Sequence, residues 1–186
     1  EKMCTALETT LLTTDATEGV VLSRVNQVSS LLIDPTQLTN TSYQACANVI
    51  VNTVMEAPSV AAQDASFSMV SRTMSVLLDR QDFLTSSLQA RIMTAVNKLA
   101  VGRQEHMVAG EASIIAVEGN MRIATMKEYA KKLENLELPF PISAQEKFLQ
   151  MKPPIVRLKI PRGSLADTAV VATSIVQYHR NMRNDE

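Results

Sequence analysis

The side chains able to do chemistry are few and widely separated. His106 and His179 are the two imidazoles in 186 residues, and neither lies three to five residues from another histidine or a cysteine, the spacing at which zinc is held. The ordinary reading of each is a surface or packing histidine. Glu128, Glu134 and Glu137 stand among Lys127, Lys131 and Lys132, an arrangement that solvates a surface through weak ion pairs. Five glycines, none in a phosphate-cradling run, and no serine in a nucleophile elbow leave nucleotide binding and acyl transfer without a scaffold. The expectation is therefore a non-enzymatic chain with no catalytic residue, no metal ligand and no cofactor.

Four other groups have a second reading beside the ordinary one. Cys4 and Cys46, the two cysteines, fit one disulfide outside the cell or two reduced thiols inside it. They fall on separate predicted helices, so a bridge requires those helices to be neighbours. Asn40-Thr41-Ser42 matches the glycosylation acceptor pattern and lies in a polar run at a predicted helix start, where Asn40 would be exposed. Met69, Met74, Met93 and Met107 could line an adaptable groove, although at helical spacing methionine more often fills a core. Arg157 and Lys159 make an anion patch only if polar partners converge on them; otherwise they are the wet face of a strand.

The elements that carry these residues divide by period. Up to about Gly110, apolar positions recur every three or four residues, as in helices. Met3, Leu7 and Leu11 open the series. Asp15-Ala16-Thr17-Glu18 reads as a capping box with Asp15 at the cap, ahead of Val21, Val25, Val28 and Leu32 and a stop at Asp34-Pro35. Tyr43, Ala47, Ile50 and Val54 make a second stripe that ends at Ala57-Pro58. A third helix from near Ser59 carries Phe67, Val70, Met74 and Leu77. After a break at Asp79 to Asp82, Leu88, Ile92, Ala95 and Leu99 form the last stripe. Each stripe is narrow and one-sided, which predicts an antiparallel bundle or array with wet outer faces.

Beyond Gly110 the period falls to two. Ser113 to Val117, the turn Glu118-Gly119-Asn120 and the alternating Met121 to Thr125 predict a hairpin with a half-buried second strand. Lys127 to Leu136 fits either a helix or a continuation of that strand. Leu136, Leu138 and Phe140 alternate until Pro139 and Pro141 restrict the backbone, and a loop leads to Pro153-Pro154. Ile155 to Ile160 is a strand with Val156, Leu158 and Ile160 on one face, turned by Pro161-Arg162-Gly163. Ala169 to Tyr178, rich in valine, isoleucine and threonine, is the next. The fold class is α+β: a helical subdomain over 1–110, then a β-rich segment over 111–186 forming a partial antiparallel sheet.

Composition agrees with a folded chain. Apolar residues make up 46% and charged residues 20%, and 18 basic against 19 acidic side chains leave a net charge of −1, with no basic field to attract nucleic acid. No apolar stretch nears the roughly 20 residues that cross a bilayer. The opening Glu1-Lys2-Met3-Cys4 is neither an initiator methionine nor a signal peptide, so the ends are expected to be cut ends of something longer.

In element order the chain resembles the GAIN domain, the autoproteolysis-inducing region before the membrane segments of adhesion G-protein-coupled receptors and polycystin-like proteins. The resemblance rests on a helical array leading into Gly110-Glu111, a strand, Gly119-Asn120-Met121-Arg122-Ile123-Ala124, and then Ile155-Val156-Arg157-Leu158-Lys159-Ile160-Pro161. It implies a helical subdomain before a β-sandwich, a place on the extracellular side of the plasma membrane, a glycan on Asn40 and the remainder of the receptor as partner. The family is cut within a His-hydrophobic-Ser/Thr tripeptide beside Cys and Trp. This sequence has no Trp, and His106-Met107-Val108 lacks the hydroxyl, so self-cleavage is not expected of these residues. On this resemblance the chain ends after the opening strands, near Ser174 to Tyr178. A reading from another class is an intracellular helical scaffold or regulatory module that binds a partner helix through a methionine-rich groove.

Overall fold

A computed structural model of the chain describes residues 2–10, 15–34, 37–132, 136–139, 148–149, 155–158, 165–166 and 168–178, with the backbone alone for Lys2, Thr10, 136–139 and 155–158. Expectations resting on Leu11, Pro35, Leu133, Glu134, residues 140–141, 153–154, 159–163 and His179 lie outside the described residues. So do the directions of the side chains at 136–139 and 155–158.

Helices come first: α1 (Lys2–Thr10), α2 (Glu18–Leu31), α3 (Asn40–Glu56), α4 (Pro58–Ala61), α5 (Asp64–Leu77) and α6 (Ser86–Glu105). Three of them start on a threonine whose hydroxyl accepts a backbone N–H three residues on: Thr17 from Val20, Thr39 from Ser42 and Thr85 from Leu88. The first corrects the capping box assigned to Asp15. Thr17 has the extended backbone of a cap, and its carbonyl accepts the first helical bond, from Val21 at 2.9 Å. Asp15 lies two residues too early. Pro58 lacks an N–H and cannot continue α3, but its fixed φ suits the first position of α4. The single third helix expected from Ser59 is therefore two, because Gln63 turns extended before α5.

The anticipated stripes are buried: Val21, Val25, Val28 and Leu32; Tyr43, Ala47, Ile50 and Val54; Phe67, Val70, Met74 and Leu77; Leu88, Ile92, Ala95 and Leu99. They are not all one-sided. In α3, Val49, Ile50, Val51, Thr53 and Val54 are all fully buried, and the face left to solvent narrows to a strip at Asn48, Asn52 and Glu56. The cause is its position: α3 packs against α1, α2, α5 and α6. A helix enclosed over most of its circumference must be apolar or internally bonded there, and Thr53 complies by donating its hydroxyl to Val49 O at 2.7 Å.

Strands follow: β1 (Ile114–Val117), β2 (Met121–Tyr129), β3 (Leu136–Pro139), β4 (Ile155–Leu158) and β5 (Val170–Tyr178). The first sheet has the order β1-β2-β5 and the second pairs β3 with β4; every pairing is antiparallel. The chain is of the α+β class. The ambiguous segment after Met126 stays extended to Tyr129, held by β5 from Lys127↔Ala172 to Tyr129↔Val170. A short 3-10 turn follows over Ala130–Lys132.

β2 is not half-buried as its alternation suggested. Met121, Arg122, Ile123, Ala124, Thr125 and Met126 are all buried, since β2 is the central strand and both its faces are covered. Register puts Ile123 between Ala116 and Val176, and Met121 beside Tyr178. All of these pack into the cluster that also holds Val21, Ile50, Met74 and Leu99. Helix α6 lies against β2 and β5. One apolar core therefore runs across the boundary at Gly110. Gly110 itself has φ +88, a conformation that suits glycine, and its N–H donates to Lys127 O at 2.9 Å.

Candidate functional site

Two groups with modification chemistry meet on α3. Asn40 is the first helical residue and is exposed, while Cys46, less than two turns further on, is buried and joined by a disulfide to Cys4 of α1. The bond pins α1 to α3 across 42 positions of chain. Ser42, the hydroxyl residue of the acceptor tripeptide, is only 3% exposed. Its hydroxyl lies 2.9 Å from that of Thr39, and its N–H donates to the same Thr39 oxygen.

The most connected polar cluster was not legible in the sequence. At its C-terminus α5 has no left-handed glycine to fold back its last carbonyls. Ser75 O and Val76 O accept the backbone N–H groups of Leu78 and Asp79, and two distant side chains reach the same carbonyl end as well. Tyr43 of α3 donates its hydroxyl to Val76 O and Leu77 O at 3.1 and 3.2 Å. Asn120, in the turn between β1 and β2, donates its Nδ2 to Ser75 O at 2.9 Å and to an Asp79 carboxylate oxygen at 2.6 Å. The Asn120 backbone N–H donates to Ser75 Oγ at 2.9 Å. Phe83 sets its ring edge-on against Tyr43 at 5.6 Å and lies under the Arg80 guanidinium at 3.7 Å. The one available signal was a tyrosine within an apolar stripe, since a buried phenol needs a partner for its hydroxyl.

A second polar junction ties α4 to the end of α6. His106 Nε2 lies 2.9 Å from Ser59 O and 3.1 Å from Ser59 Oγ, a packing role. Arg103 donates to Ala62 O at 3.0 Å, pairs with Asp64 and faces the Phe67 ring. Between them Gly102 lets the helices touch. A Cβ there would stand 2.5 Å from Pro58 O.

Electrostatic perturbations are local and scattered. Burial raises Tyr43 far above the ordinary phenol value, with the Asp79 carboxylate adding to it, and burial pushes Tyr178 up to about 12. Burial also raises Glu118, against an opposing pull from Arg72. Bonds to Arg80 lower Asp82, and the Tyr129 N–H and Lys132 lower Glu128. These groups do not converge on a cleft with a nucleophile. Among the described residues, no three His, Cys, Asp or Glu side chains are grouped as metal ligands, and no helix is long and apolar enough to cross a membrane.

The methionines settle into packing positions. Met74 and Met107 are buried, and Met69 and Met93 pack half-buried against the core. Glu128 pairs with Lys132 at 3.2 Å on the surface. No protein-family model matches the chain, and no curated protein matches it.

Proposed function

We propose that this chain is a non-catalytic structural module on the extracellular side of a cell-surface adhesion or signalling receptor, resembling a GAIN domain and supporting an autoproteolysis region elsewhere in the protein. The observation that carries the extracellular part is the Cys4–Cys46 bond, since disulfides persist in oxidising compartments and are rare in the cytosol. Exposure of Asn40 at an acceptor tripeptide agrees with that compartment. The order of elements, helices packed on an antiparallel sheet through one core, supports the family resemblance and suits a part that holds neighbouring segments in place.

Secretion from animal cells tests the reading. The secreted chain is expected to carry an intact Cys4–Cys46 bond by mass under non-reducing digestion, and to bear a glycan removable by amidase at Asn40. Retention of two free thiols in protein made in the secretory pathway would remove its main support.

A further inference from the structure

We infer that Asn40 can accept a glycan only before α3 folds, so that folding and closure of the Cys4–Cys46 bond end its acceptor window. This deepens, and rests on, the extracellular reading of the chain.

The transferring enzyme must engage two side chains of the tripeptide, the asparagine amide and the hydroxyl two residues on. In transfer, Asn40 Nδ2 forms a bond to C1 of an oligosaccharide carried on a lipid pyrophosphate. The C1–O bond to that pyrophosphate breaks, the lipid pyrophosphate leaves with the electron pair, and the amide proton passes to a base of the enzyme. An extended or looped acceptor can offer both side chains to one site. A helix cannot, because residues two apart are turned about 200° from each other.

Both residues lie in α3, which begins at Asn40. Asn40 is exposed, whereas Ser42 is 3% exposed and engages the Thr39 hydroxyl. The helix therefore shows the enzyme the amide and hides the hydroxyl. Local fraying is opposed from both sides. Thr39 caps the first turn, and the next residue, Tyr43, is fully buried and bonded to α5. Cys46 is then tied to α1.

Helix α3 does not close on its own. Most helical stability in proteins comes from tertiary packing, and α3, rich in the weak helix formers valine, threonine and asparagine, takes its contacts from α1, α2, α5 and α6. The acceptor stays open until the chain as far as α6 exists. It closes when these helices pack.

The test uses the full chain, made unglycosylated, with a control acceptor tripeptide in an added flexible tail. It is given purified oligosaccharyltransferase and a lipid pyrophosphate-linked oligosaccharide, and transfer to each site is followed by mass. The oxidised, folded chain is expected to be modified at the tail and not at Asn40. The same chain, reduced, unfolded in urea and diluted into the assay, is modified at both. Thr39→Ala keeps the tripeptide but removes the cap and the Ser42 partner, and should raise the folded-state rate at Asn40 about five-fold. Cys4→Ser should raise it as well. Equal rates at Asn40 in folded and unfolded chain would overturn the inference and leave the extracellular reading standing. Modification of the tail alone in both states would show that Asn40 is no acceptor, removing the inference and the glycan together. Failure of the chain to be secreted with its disulfide would count against the extracellular reading while leaving the folded-to-unfolded rate ratio as measured.

Discussion

Asn120 reaches from the β1–β2 turn to the last turn of α5 and bonds Ser75 twice, through its own backbone N–H to Ser75 Oγ and through its side chain to Ser75 O. The contact is buried, and it joins the hairpin to the helices by hydrogen bonds where the surrounding contacts are apolar. Asn120→Ala keeps the backbone bond and removes both side-chain bonds. It is expected to cost about 1–3 kcal/mol, measured by urea unfolding. Asn120→Asp should cost more at neutral pH, because it places a carboxylate against Ser75 O and Asp79, and it should recover towards the alanine variant in acid. Equal stability of wild type and both variants would remove the latch.

Two glycines should respond with opposite signs. Gly102→Ala places a methyl 2.5 Å from a backbone oxygen of Pro58, which cannot swing away as a side-chain tip would. Forcing α4 off α6 should cost about 1–3 kcal/mol. Gly19 has nothing within 4 Å of an added Cβ and lies in the first turn of α2. Gly19→Ala should stabilise by about 0.4–1 kcal/mol through the entropy of the unfolded chain. Thermal midpoints moving in the same direction would contradict the close approach of α4 and α6.

The disulfide should be a large single contribution. Its 42-position separation corresponds to about 4 kcal/mol in the chain-entropy model. Reduction, or Cys4→Ser, is therefore expected to lower the urea midpoint substantially. A midpoint unaffected by reductant would mean that α1 is held to α3 without the bond.

Alkaline pH should unfold the protein through its buried phenols. Tyr43 and Tyr178 both titrate above the ordinary phenol value because burial disfavours the phenolate. A group raised on folding contributes stability that is complete below its unfolded value, about 10, and is lost as pH climbs through the folded value. For Tyr178 the loss falls between about 10 and about 12. Tyr43→Phe should be less stable at pH 7, having removed the hydroxyl that bonds Val76 O and Leu77 O, and should decline less steeply above pH 10. An unchanged alkaline slope would show that Tyr43 is not the responsible group.

Glu118 provides the acidic counterpart. Its carboxyl is raised by burial, so the folded state favours the protonated form and is disfavoured once the group ionises. Glu118→Gln is expected to be more stable than wild type at pH 7, with the difference disappearing below about pH 4. A stability difference independent of pH would point to lost contacts instead.

Local chemistry made much of this molecule legible. The four apolar stripes of α2, α3, α5 and α6 are buried as their spacing required, because a helix repeats its face every three to four residues whatever it packs against. The breaks at Pro58 and Asp79 to Asp82, the hairpin turn at Glu118 to Asn120 and the strand ending at Tyr178 follow from turn chemistry and β-branched runs. The exposure of Asn40 followed from the polar run around it. What neighbours decide was hidden. That α3 is packed between four other helices, that β2 is covered on both faces and that Cys4 meets Cys46 all depend on which elements come together. So does the cluster of Tyr43, Ser75, Asp79 and Asn120, whose members lie on separate elements and signal one another by no spacing. The sequence by itself determined which stretches coil, which extend and which face of each avoids water, since those follow from a residue and its near neighbours. Only the tertiary structure decided which buried carbonyls are met by which distant donors, because that pairing exists only once the helices and the sheet close on one core.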